Sequence, residues 1–399
     1  MEAQMEVREN NDVSRRSALK FVVLLGFVSL LADMTYEGAR SITGPFLAVL
    51  GASGAVVGVV AGFGELVGYS LRLVSGYISD RTGRYWAITL LGYGLNLLAV
   101  PLLALAGRWE MAALLMIAER LGKAFRTPAR DAMLSHATSK IGRGWGFGLH
   151  EAMDQIGATL GPLIVATALF FTEGYRIGFG ILAVPALLAL GVLIAARLLY
   201  PVPRDLETVS PEMKTEGFAR VFWVYLVASG LIAAGYADFP LIAYHFQKAS
   251  PISADWIPIF YAIAMGVDAL AAIILGRLFD RIGISILLAV SFFSSLFAPL
   301  VFFGGFYPAL LGMALWGVGM GAQESIMRAA VAEMVAANRR ASAYGVFNAG
   351  YGVLWFLGSA LMGMLYDISI PSLVLFSVAM QLSSVPLLYL AKGAPTGVR

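Results

Sequence analysis

Two stretches of sequence decide the fold of this chain: GYISDRTGRY at residues 76–85 and GRLFDRIGIS at residues 276–285. Four residues of the first stretch recur in the second at a constant offset of 200 positions: Gly76, Asp80, Arg81 and Gly83 become Gly276, Asp280, Arg281 and Gly283. Arg84, which follows in the first stretch, has no counterpart, because residue 284 is Ile. A charged turn repeated half a chain apart indicates two halves of similar architecture.

The composition around these stretches excludes a soluble protein. Of the 399 residues, 59% are hydrophobic and only 13% are charged, whereas soluble domains have about 25% charged residues. The chain has no cysteine, so disulfides, a thiolate nucleophile and cysteine metal sites are excluded. The net charge is +3 and the basic residues are spread along the chain, so we expect no nucleic-acid partner.

The apolar segments are long enough to cross a bilayer, which takes about 20 residues in helical form. The pattern predicts twelve spans: 20–48, 53–78, 86–106, 110–136, 145–171, 177–199, 220–246, 255–278, 284–303, 307–335, 343–366 and 370–391. We therefore predict an all-α membrane protein of twelve transmembrane helices in two pseudo-symmetric six-helix halves. The halves are residues 1–199 and 220–399, and the polar segment 200–219 joins them.

The loops on one side of these spans carry most of the Lys and Arg residues. Eighteen fall on the side of the termini: Arg8, Arg15, Arg16, Lys20, Arg81, Arg84, Lys140, Arg143, Arg197, Arg204, Lys214, Arg220, Arg277, Arg281, Arg339, Arg340, Lys392 and Arg399. Three fall on the other side: Arg108, Arg176 and Lys248. Because cytoplasmic loops are enriched in basic residues, we predict a multi-pass protein of the cell (inner or plasma) membrane with both termini in the cytoplasm.

The first stretch matches the signature G-x-x-x-D-R-x-G-R at Gly76, Asp80, Arg81, Gly83 and Arg84, and the chain resembles the major facilitator superfamily over essentially its whole length. This resemblance implies a secondary transporter without a cofactor, whose halves open alternately to each side of the membrane. It also implies that the two repeated stretches act at the cytoplasmic gate, where the motif latches the halves in the outward-open state.

A second motif points to export. GATLGPLIVA (157–166) resembles the G-x-x-x-G-P motif of proton-driven exporters in that superfamily, at Gly157, Gly161 and Pro162. The segments KAFRTPARDA (123–132) and GRGWGFGLHEAMD (142–154) resemble a bacterial branch that includes nickel and cobalt efflux permeases. A metal cargo is opposed by the absence of Cys and by the presence of only three His residues.

Charged residues within the spans are the candidates for the transport site, since charges at membrane depth are expensive. The acids number ten: Asp33, Glu37, Glu65, Glu119, Asp131, Glu151, Asp154, Asp238, Asp268 and Glu324. The bases number seven: Arg40, Arg72, Arg120, Lys123, Arg126, Arg130 and Arg328. The excess carboxylates must bind protons, meet a cationic substrate or face a wet cavity.

Asp33 and Asp154 lie near the middle of their spans with no base one helical turn away, so we predict that they exchange protons. Arg120 matches a buried arginine that the superfamily resemblance links to proton coupling. The remaining candidates for substrate binding or coupling are Glu37, Glu65, Glu151, Asp238, Glu324 and Arg328. Pairing within a helix is the structural alternative, and it would join Glu37 to Arg40, Glu65 to Arg72, and Glu324 to Arg328.

These observations predict export of a small cationic or amphipathic solute in exchange for protons. We expect a monomer in the lipid bilayer, because the glycine stripes of its helices suit packing within one bundle. Three alternatives remain: a divalent-metal efflux permease, an uptake symporter and an intramembrane metalloprotease. The last rests on HEAMD (150–154), which resembles the zinc motif H-E-x-x-H but has Asp154 in place of the second His. We predict no enzymatic activity.

Overall fold

The computed structural model describes residues 2–141, 143–172, 174–201, 218–335 and 340–392. The linker prediction for 200–219 falls mostly outside these residues. Within them, the side chains at 2–15, 80, 136, 138–141, 143–145, 147, 328, 332–333 and 340–342 are not described. The predicted roles of the Asp80 and Arg328 side chains therefore lie outside the description.

The described residues form fifteen α-helices. In chain order they are α1 (Glu2–Val49), α2 (Gly54–Thr82), α3 (Tyr85–Leu102), α4 (Trp109–Ile141), α5 (Arg143–Thr172), α6 (Tyr175–Ile181), α7 (Ala183–Leu199), α8 (Arg220–Gly235), α9 (Phe239–Ala249), α10 (Trp256–Ile282), α11 (Ser285–Ser295), α12 (Phe297–Phe303), α13 (Phe306–Met334), α14 (Arg340–Ile368) and α15 (Ile370–Lys392). A short 3₁₀ turn, Leu103–Leu105, extends α3.

These helices make up twelve crossings, because α6 with α7, α8 with α9, and α11 with α12 are each one crossing interrupted by a few residues. Within the described residues, ten stretches are long and apolar enough to span a membrane. Helices suit this environment because each satisfies its own backbone hydrogen bonds in the absence of water. The predicted fold class, all-α with twelve membrane helices in two halves, is confirmed.

The repeated stretches end equivalent helices in the two halves. Gly83 follows α2 with a φ of 62°, and Gly283 follows α10 with a φ of 60°. A positive φ suits glycine, which lacks the Cβ that would be strained there. One function of the repeated glycines is thus to stop a helix before the chain turns back.

The most extensive contacts between the two halves are those of α1 with α9, α2 with α14, and α5 with α10. We call the end of the bundle where α1 stops and α2 begins the far end, and the opposite end the near end. At the far end, Tyr244 of the second half donates a hydrogen bond of 3.0 Å to the Ala52 carbonyl oxygen. The Asp367 carboxylate accepts bonds of 2.8 Å from the backbone N–H groups of Gly54 and Ala55. The halves are therefore closed against each other at the far end.

Candidate transport site

Glu65 is the centre of an ion network among three helices of the first half. Arg40 Nη2 on α1 lies 3.0 Å from Glu65 Oε1, and Arg120 Nη2 on α4 lies 3.2 Å from the same oxygen. Arg120 Nε also lies 3.4 Å from Glu119 Oε2. Glu65 thus takes these partners from neighbouring helices, which corrects the same-helix alternative that paired it with Arg72, two turns along α2.

Glu37 also makes its polar contacts with other helices. Its Oε2 accepts a hydrogen bond of 2.5 Å from the Tyr261 hydroxyl on α10, in the other half. Its Oε1 lies 4.0 Å from Lys123 Nζ, and that ammonium sits 3.8 Å from the centre of the Tyr36 ring. The alternative pairing of Glu37 with Arg40 is replaced by contacts with α4 and α10.

Asp238 lies in the interruption between α8 and α9 and is buried. The break there agrees with Pro240, which occupies the first turn of α9 and suits a helix start because it lacks an N–H. Trp355 Nε1 donates to Asp238 Oδ1 at 2.9 Å, and Ser359 Oγ donates to Oδ2 at 2.6 Å. Arg40 Nη2 lies 3.7 Å from Asp238 Oδ1. Arg40 is thus shared between Glu65 of its own half and Asp238 of the other.

Asp33 and Asp154, the predicted proton carriers, lie beside bases of α4. Arg126 Nη2 is 3.8 Å from Asp33 Oδ1, and Arg130 Nη1 is 3.8 Å from Asp154 Oδ2. Neither acid has a base one turn away on its own helix, but α4 supplies an arginine to each of them. At 3.8 Å these are charge contacts longer than hydrogen bonds, and Asp154 Oδ1 has no hydrogen-bond partner among the described residues.

The two arginines of this cluster are held from several sides. The Arg126 guanidinium is buried between aromatic rings, 4.3 Å from the centre of Tyr93 and 5.6 Å from that of Tyr36. Arg130 donates to Ser29 Oγ at 2.8 Å and makes an ion pair of 2.8 Å with Asp131. Cation–π contacts can stabilise a buried guanidinium, so Asp33 is not the sole source of stabilisation for Arg126.

His150 lies near the same cluster, with Nδ1 3.8 Å from Asp154 Oδ1 and Nε2 3.3 Å from Ser29 Oγ. These are the two ends of the HEAMD segment that resembles a zinc motif. No group of three or more His, Asp or Glu side chains in the described part of the chain is placed to hold a metal ion.

One cavity, of about 470 Å³, lies against the Glu65 network. Its polar lining comprises Tyr36, Arg40, Glu65, Glu119, Arg120 and Asp238. The last of these comes from the second half, so this cavity reaches the seam between the halves.

Another cavity, of about 360 Å³, is aromatic and lies between α2, α13 and α14. Tyr69, Phe347, Tyr351 and Trp355 line it together with Glu324. Glu324 is exposed, as is Glu151 in the near part of α5. The predicted candidates thus fall into two groups, one around Glu65 and Asp33 in the first half and one around Glu324 in the second.

The motif residues occupy helix ends and helix contacts. Arg81 is exposed and donates a hydrogen bond of 3.1 Å to the Tyr77 hydroxyl. Arg84, Asp280 and Arg281 are exposed as well. Their predicted gating role remains a prediction.

The glycines of the exporter-like motif allow α5 to pack closely against α1. A Cβ at Gly157 would clash with the carbonyl oxygen of Leu30, and one at Gly161 would clash with that of Met34. Pro162 lies inside α5. In the second half, Gly358 of α14 packs in the same way on Ala234 of α8. The motif therefore has a packing role, and a glycine of the other half makes a similar contact between helices.

Several residues of the site were not selected from the sequence. Arg40 and Lys123 were counted as intramembrane bases, but their contacts with acids of other helices could not be seen without the fold. Tyr261, Trp355 and Ser359 carry no charge and gave no signal. Finding them would require the polar partners of each buried acid, and those partners are known only once it is known which helices are neighbours.

Comparisons with known proteins agree on one family. The model of the Major Facilitator Superfamily matches residues 24–244 and 221–398. An uncharacterised protein of Mycobacterium tuberculosis (strain ATCC 25618 / H37Rv) is 44% identical over 94% of this chain and 93% of its own length. The multidrug resistance protein MdtH of Proteus mirabilis is 27% identical over 55% of this chain and 54% of its own.

A solved structure also has this fold. The peptide transporter POT, in complex with sulfate, superposes with a TM-score of 0.74 at 17% identity, covering 94% of each chain. At that identity the likeness shows the fold alone. The predicted superfamily resemblance is confirmed, while the resemblance to nickel and cobalt permeases stays a prediction.

Proposed function

The chain belongs to the Major Facilitator Superfamily, whose members are membrane transporters, and from this premise we propose that it exports a small cationic or amphipathic solute in exchange for protons. The halves would open alternately to the two sides of the inner or plasma membrane, with both termini in the cytoplasm. In that orientation the closed far end faces outward and the near end faces the cytoplasm.

The observation that carries this proposal is the position of Arg40. Its guanidinium lies between Glu65 in the first half and Asp238 in the second. When the halves separate at the far end, Arg40 must leave Asp238, and it retains Glu65 on the helix beside it. A buried carboxylate that loses its counter-ion is costly unless it is hydrated or protonated. Opening of the halves at the far end is thereby linked to the protonation of a buried acid, here Asp238, which loses its contact with Arg40.

Asp33 and Asp154 are the carboxylates that we propose to carry the protons. Each carboxylate lies 3.8 Å from an arginine and makes no short ion pair with it. A proton can therefore neutralise the carboxylate without breaking a hydrogen bond to that arginine. Protons would bind when the cavity faces outward and leave when it faces the cytoplasm. A cationic solute, attracted to the same acids once they are deprotonated, would then travel the opposite way.

The direction and cargo are supported by two further features. The G-x-x-x-G-P segment at 157–162 resembles that of proton-driven exporters, and the partly matching relative from Proteus mirabilis is named as a multidrug resistance protein. For a divalent-metal cargo, the described residues offer no cluster of three ligands, and this is why we place it second.

The test uses protein reconstituted in liposomes that contain a pH-sensitive dye. A proton gradient is imposed, and organic cations, neutral amphipathic compounds and divalent metal ions are added one at a time. We expect solute-dependent proton movement with organic cations, in the direction of export. We also expect Asp33→Asn and Asp154→Asn to abolish it, since Asn imitates a permanently protonated side chain.

The matched control is Glu110→Gln, which removes an exposed carboxylate at the start of α4 and should leave proton movement unchanged. Proton-linked transport at the wild-type ratio in both Asn variants would place the coupling elsewhere. Transport of solute together with protons in the same direction would show a symporter. Proton movement driven only by divalent ions would favour the metal alternative.

A further inference from the structure

His150 and Asp154 lie one turn apart in the near part of α5, and each has a buried atom without a hydrogen-bond partner. His150 is only 4% exposed. Its Nδ1 and the Oδ1 of Asp154 make no hydrogen bond with any of the described residues. These two atoms lie 3.8 Å apart, which is beyond hydrogen-bond distance but within reach of a small side-chain movement. A proton between them would pair both atoms.

The other nitrogen of the ring faces a hydroxyl group. His150 Nε2 lies 3.3 Å from Ser29 Oγ on α1, which accepts a hydrogen bond of 2.8 Å from Arg130 and lies 3.4 Å from the Tyr93 hydroxyl oxygen. A hydroxyl group has one proton to donate and two lone pairs that accept. Ser29 can therefore accept from Nε2–H and donate to Tyr93, or accept from Tyr93 and donate to Nε2. Either tautomer of the imidazole finds a partner on this side.

The charges around this pair favour a neutral imidazole. Arg126 and Arg130 of α4 are close enough to His150 to interact with it electrostatically, and they would repel an imidazolium in an interior of low dielectric constant. The other titratable groups that interact with the pair or lie beside it are Asp33 and Tyr36 of α1, Tyr93 of α3 and Glu151 of α5, and Asp268 of α10 interacts in turn with Glu151. A neutral ring has one N–H donor and one acceptor nitrogen. It can therefore respond to Asp154 by exchanging tautomers, without acquiring a charge.

A ring that exchanges tautomers can pair with Asp154 in both protonation states. When the acid is protonated, its O–H donates to Nδ1 and the ring carries its proton on Nε2. On release, the O–H bond of Asp154 breaks and an Nδ1–H bond forms, while the Nε2–H bond breaks and that proton passes through the Ser29 hydroxyl to water. The carboxylate then accepts from Nδ1–H, and Ser29 donates to Nε2. On binding, the same bonds form and break in the opposite direction.

We propose that His150 is the positioning residue for proton exchange at Asp154, with which it pairs in both protonation states by exchanging tautomers. The inference rests on the proposed function, in which Asp154 carries a proton, and it adds the partner through which that proton enters and leaves. The end of the bundle that is open decides from which side water supplies or accepts it. The HEAMD segment (150–154), whose first and last residues form the pair, then serves proton exchange.

The test is ¹⁵N NMR of the purified full-length chain in lipid nanodiscs, labelled at histidine. The chain has three histidines, so the loss of one set of signals in each of His136→Gln and His245→Gln assigns the remaining set to His150. The nitrogen frequencies distinguish the two neutral tautomers from the imidazolium. We expect His150 to carry its proton on Nε2 at low pH and on Nδ1 at high pH. In Asp154→Asn, which cannot ionise at this position, the tautomer should be independent of pH.

His245 is the matched control inside the same sample. It lies on α9, is also 4% exposed, and has its Nδ1 3.2 Å from the Tyr366 hydroxyl oxygen. It thus faces a hydroxyl group where His150 faces a carboxyl group. Its signals should be the same in the wild type and in Asp154→Asn at every pH.

A second measurement separates proton exchange from packing. In dye-containing liposomes, with the panel of organic cations, neutral compounds and metal ions, His150→Gln should slow solute-driven proton movement about a hundredfold, the lower end of what a positioned proton-transfer group contributes. Exchange of solute for solute without a pH gradient needs no proton transfer and should continue. His245→Gln should leave proton movement unchanged.

An imidazolium in the pH range of the expected change, a tautomer of His150 that does not change, or a change that persists in Asp154→Asn would overturn the proposal. If His150→Gln does not elute as a single species, the NMR spectra of the wild type and of Asp154→Asn decide. An unchanged tautomer together with proton movement that depends on Asp154 would refute this role of His150 and leave the antiporter standing. Tautomer exchange in a chain that moves no protons with any solute would do the reverse.

Discussion

Glu65 shows how one residue organises the interior. Its carboxylate Oε1 is within 3.2 Å of two guanidinium groups, those of Arg40 and Arg120, and the side chains of all three residues are less than 15% exposed. Two like charges are kept at close range only because a third group of opposite sign lies between them. The first-half network therefore depends on Glu65 more than on either arginine.

Replacing Glu65 with Gln should consequently destabilise the chain by about 3–5 kcal/mol, the usual effect of leaving buried charges without their partner. The measurement is thermal unfolding in detergent. Glu110→Gln is the control, because it makes the same Glu-to-Gln change at an exposed position. The double variant Glu65→Gln, Arg40→Gln should regain part of the loss, because it removes the repulsion between two guanidinium groups that no longer have the Glu65 carboxylate between them. A Glu65→Gln melting curve that overlays the wild-type curve would contradict the network.

The sequence predicted the residues of this network better than its bonds. Glu65 and Arg120 stood out because charge within an apolar span is rare. Helical periodicity, however, relates only residues of the same helix, and so it suggested Arg72 for Glu65 and Arg40 for Glu37. The actual partners come from α1, α4 and α10, and which helices are neighbours is set by packing of the whole bundle.

At the scale of elements, the limits of the helices follow closely from the apolar pattern. The predicted span 53–78 is α2, Gly54–Thr82, and the predicted span 370–391 is α15, Ile370–Lys392. The extra turns are the charged ends, which lengthen the helices beyond the apolar stretch. The interruptions at 182 and 296 were not predicted, since the apolar pattern continues through them.

The contact between α1 and α5 gives a prediction for the exporter-like motif. A methyl group at Gly157 meets the Leu30 carbonyl oxygen, so Gly157→Ala must push the helices apart and should lower stability by about 1–3 kcal/mol. Gly191 on α7 has nothing within 4 Å of its Cβ position, and Gly191→Ala should be neutral or stabilising by about 0.5–1 kcal/mol. Thermal unfolding of the two variants compares them directly. Unchanged melting of Gly157→Ala with lost transport would point to a hinge instead of a packing contact.

At the scale of the molecule, orientation in the membrane is the first property to establish. The eighteen-to-three distribution of basic residues predicts that the 200–219 segment faces the cytoplasm. Because the chain has no Cys, a single Thr208→Cys variant reports without background. We expect no labelling by a membrane-impermeant maleimide in intact cells and full labelling after lysis. Labelling in intact cells would reverse the assignment of inside and outside.

Closure at the far end depends on a small set of bonds between the halves, and Asp238 is the one that carries charge to Arg40. Asp238→Asn retains an oxygen that can accept from Trp355 or Ser359 but loses the attraction to the guanidinium 3.7 Å away. Other links between the halves remain, namely those of Tyr261 to Glu37, of Tyr244 to Ala52, and of Asp367 to the backbone at 54–55. We therefore expect a shift of population and not loss of the fold. Asp238→Asn raises the free energy of the far-end-closed conformation, in which the charge link exists. Because the populations of two conformations follow the difference in their free energies, the far-end-open conformation should gain population.

Spin labels can measure that shift. Leu105 in the first half and Tyr307 in the second are exposed at 74% and 80% and lie at the far end, so Cys substitutions there should be tolerated. In Asp238→Asn, the distance distribution between the two labels should move toward longer values than in the otherwise wild-type chain. Ser369→Ala, just after α14, leaves the charge link intact and should keep the original distribution. A distribution unchanged by Asp238→Asn would mean that the apolar contacts of α1 with α9, including the backbone approach of Gly44 to Pro240, suffice to hold the far end closed. Arg40 would then serve the stability of the first half alone, and the coupling between proton binding and opening would have to run through Asp33 and Asp154 without it.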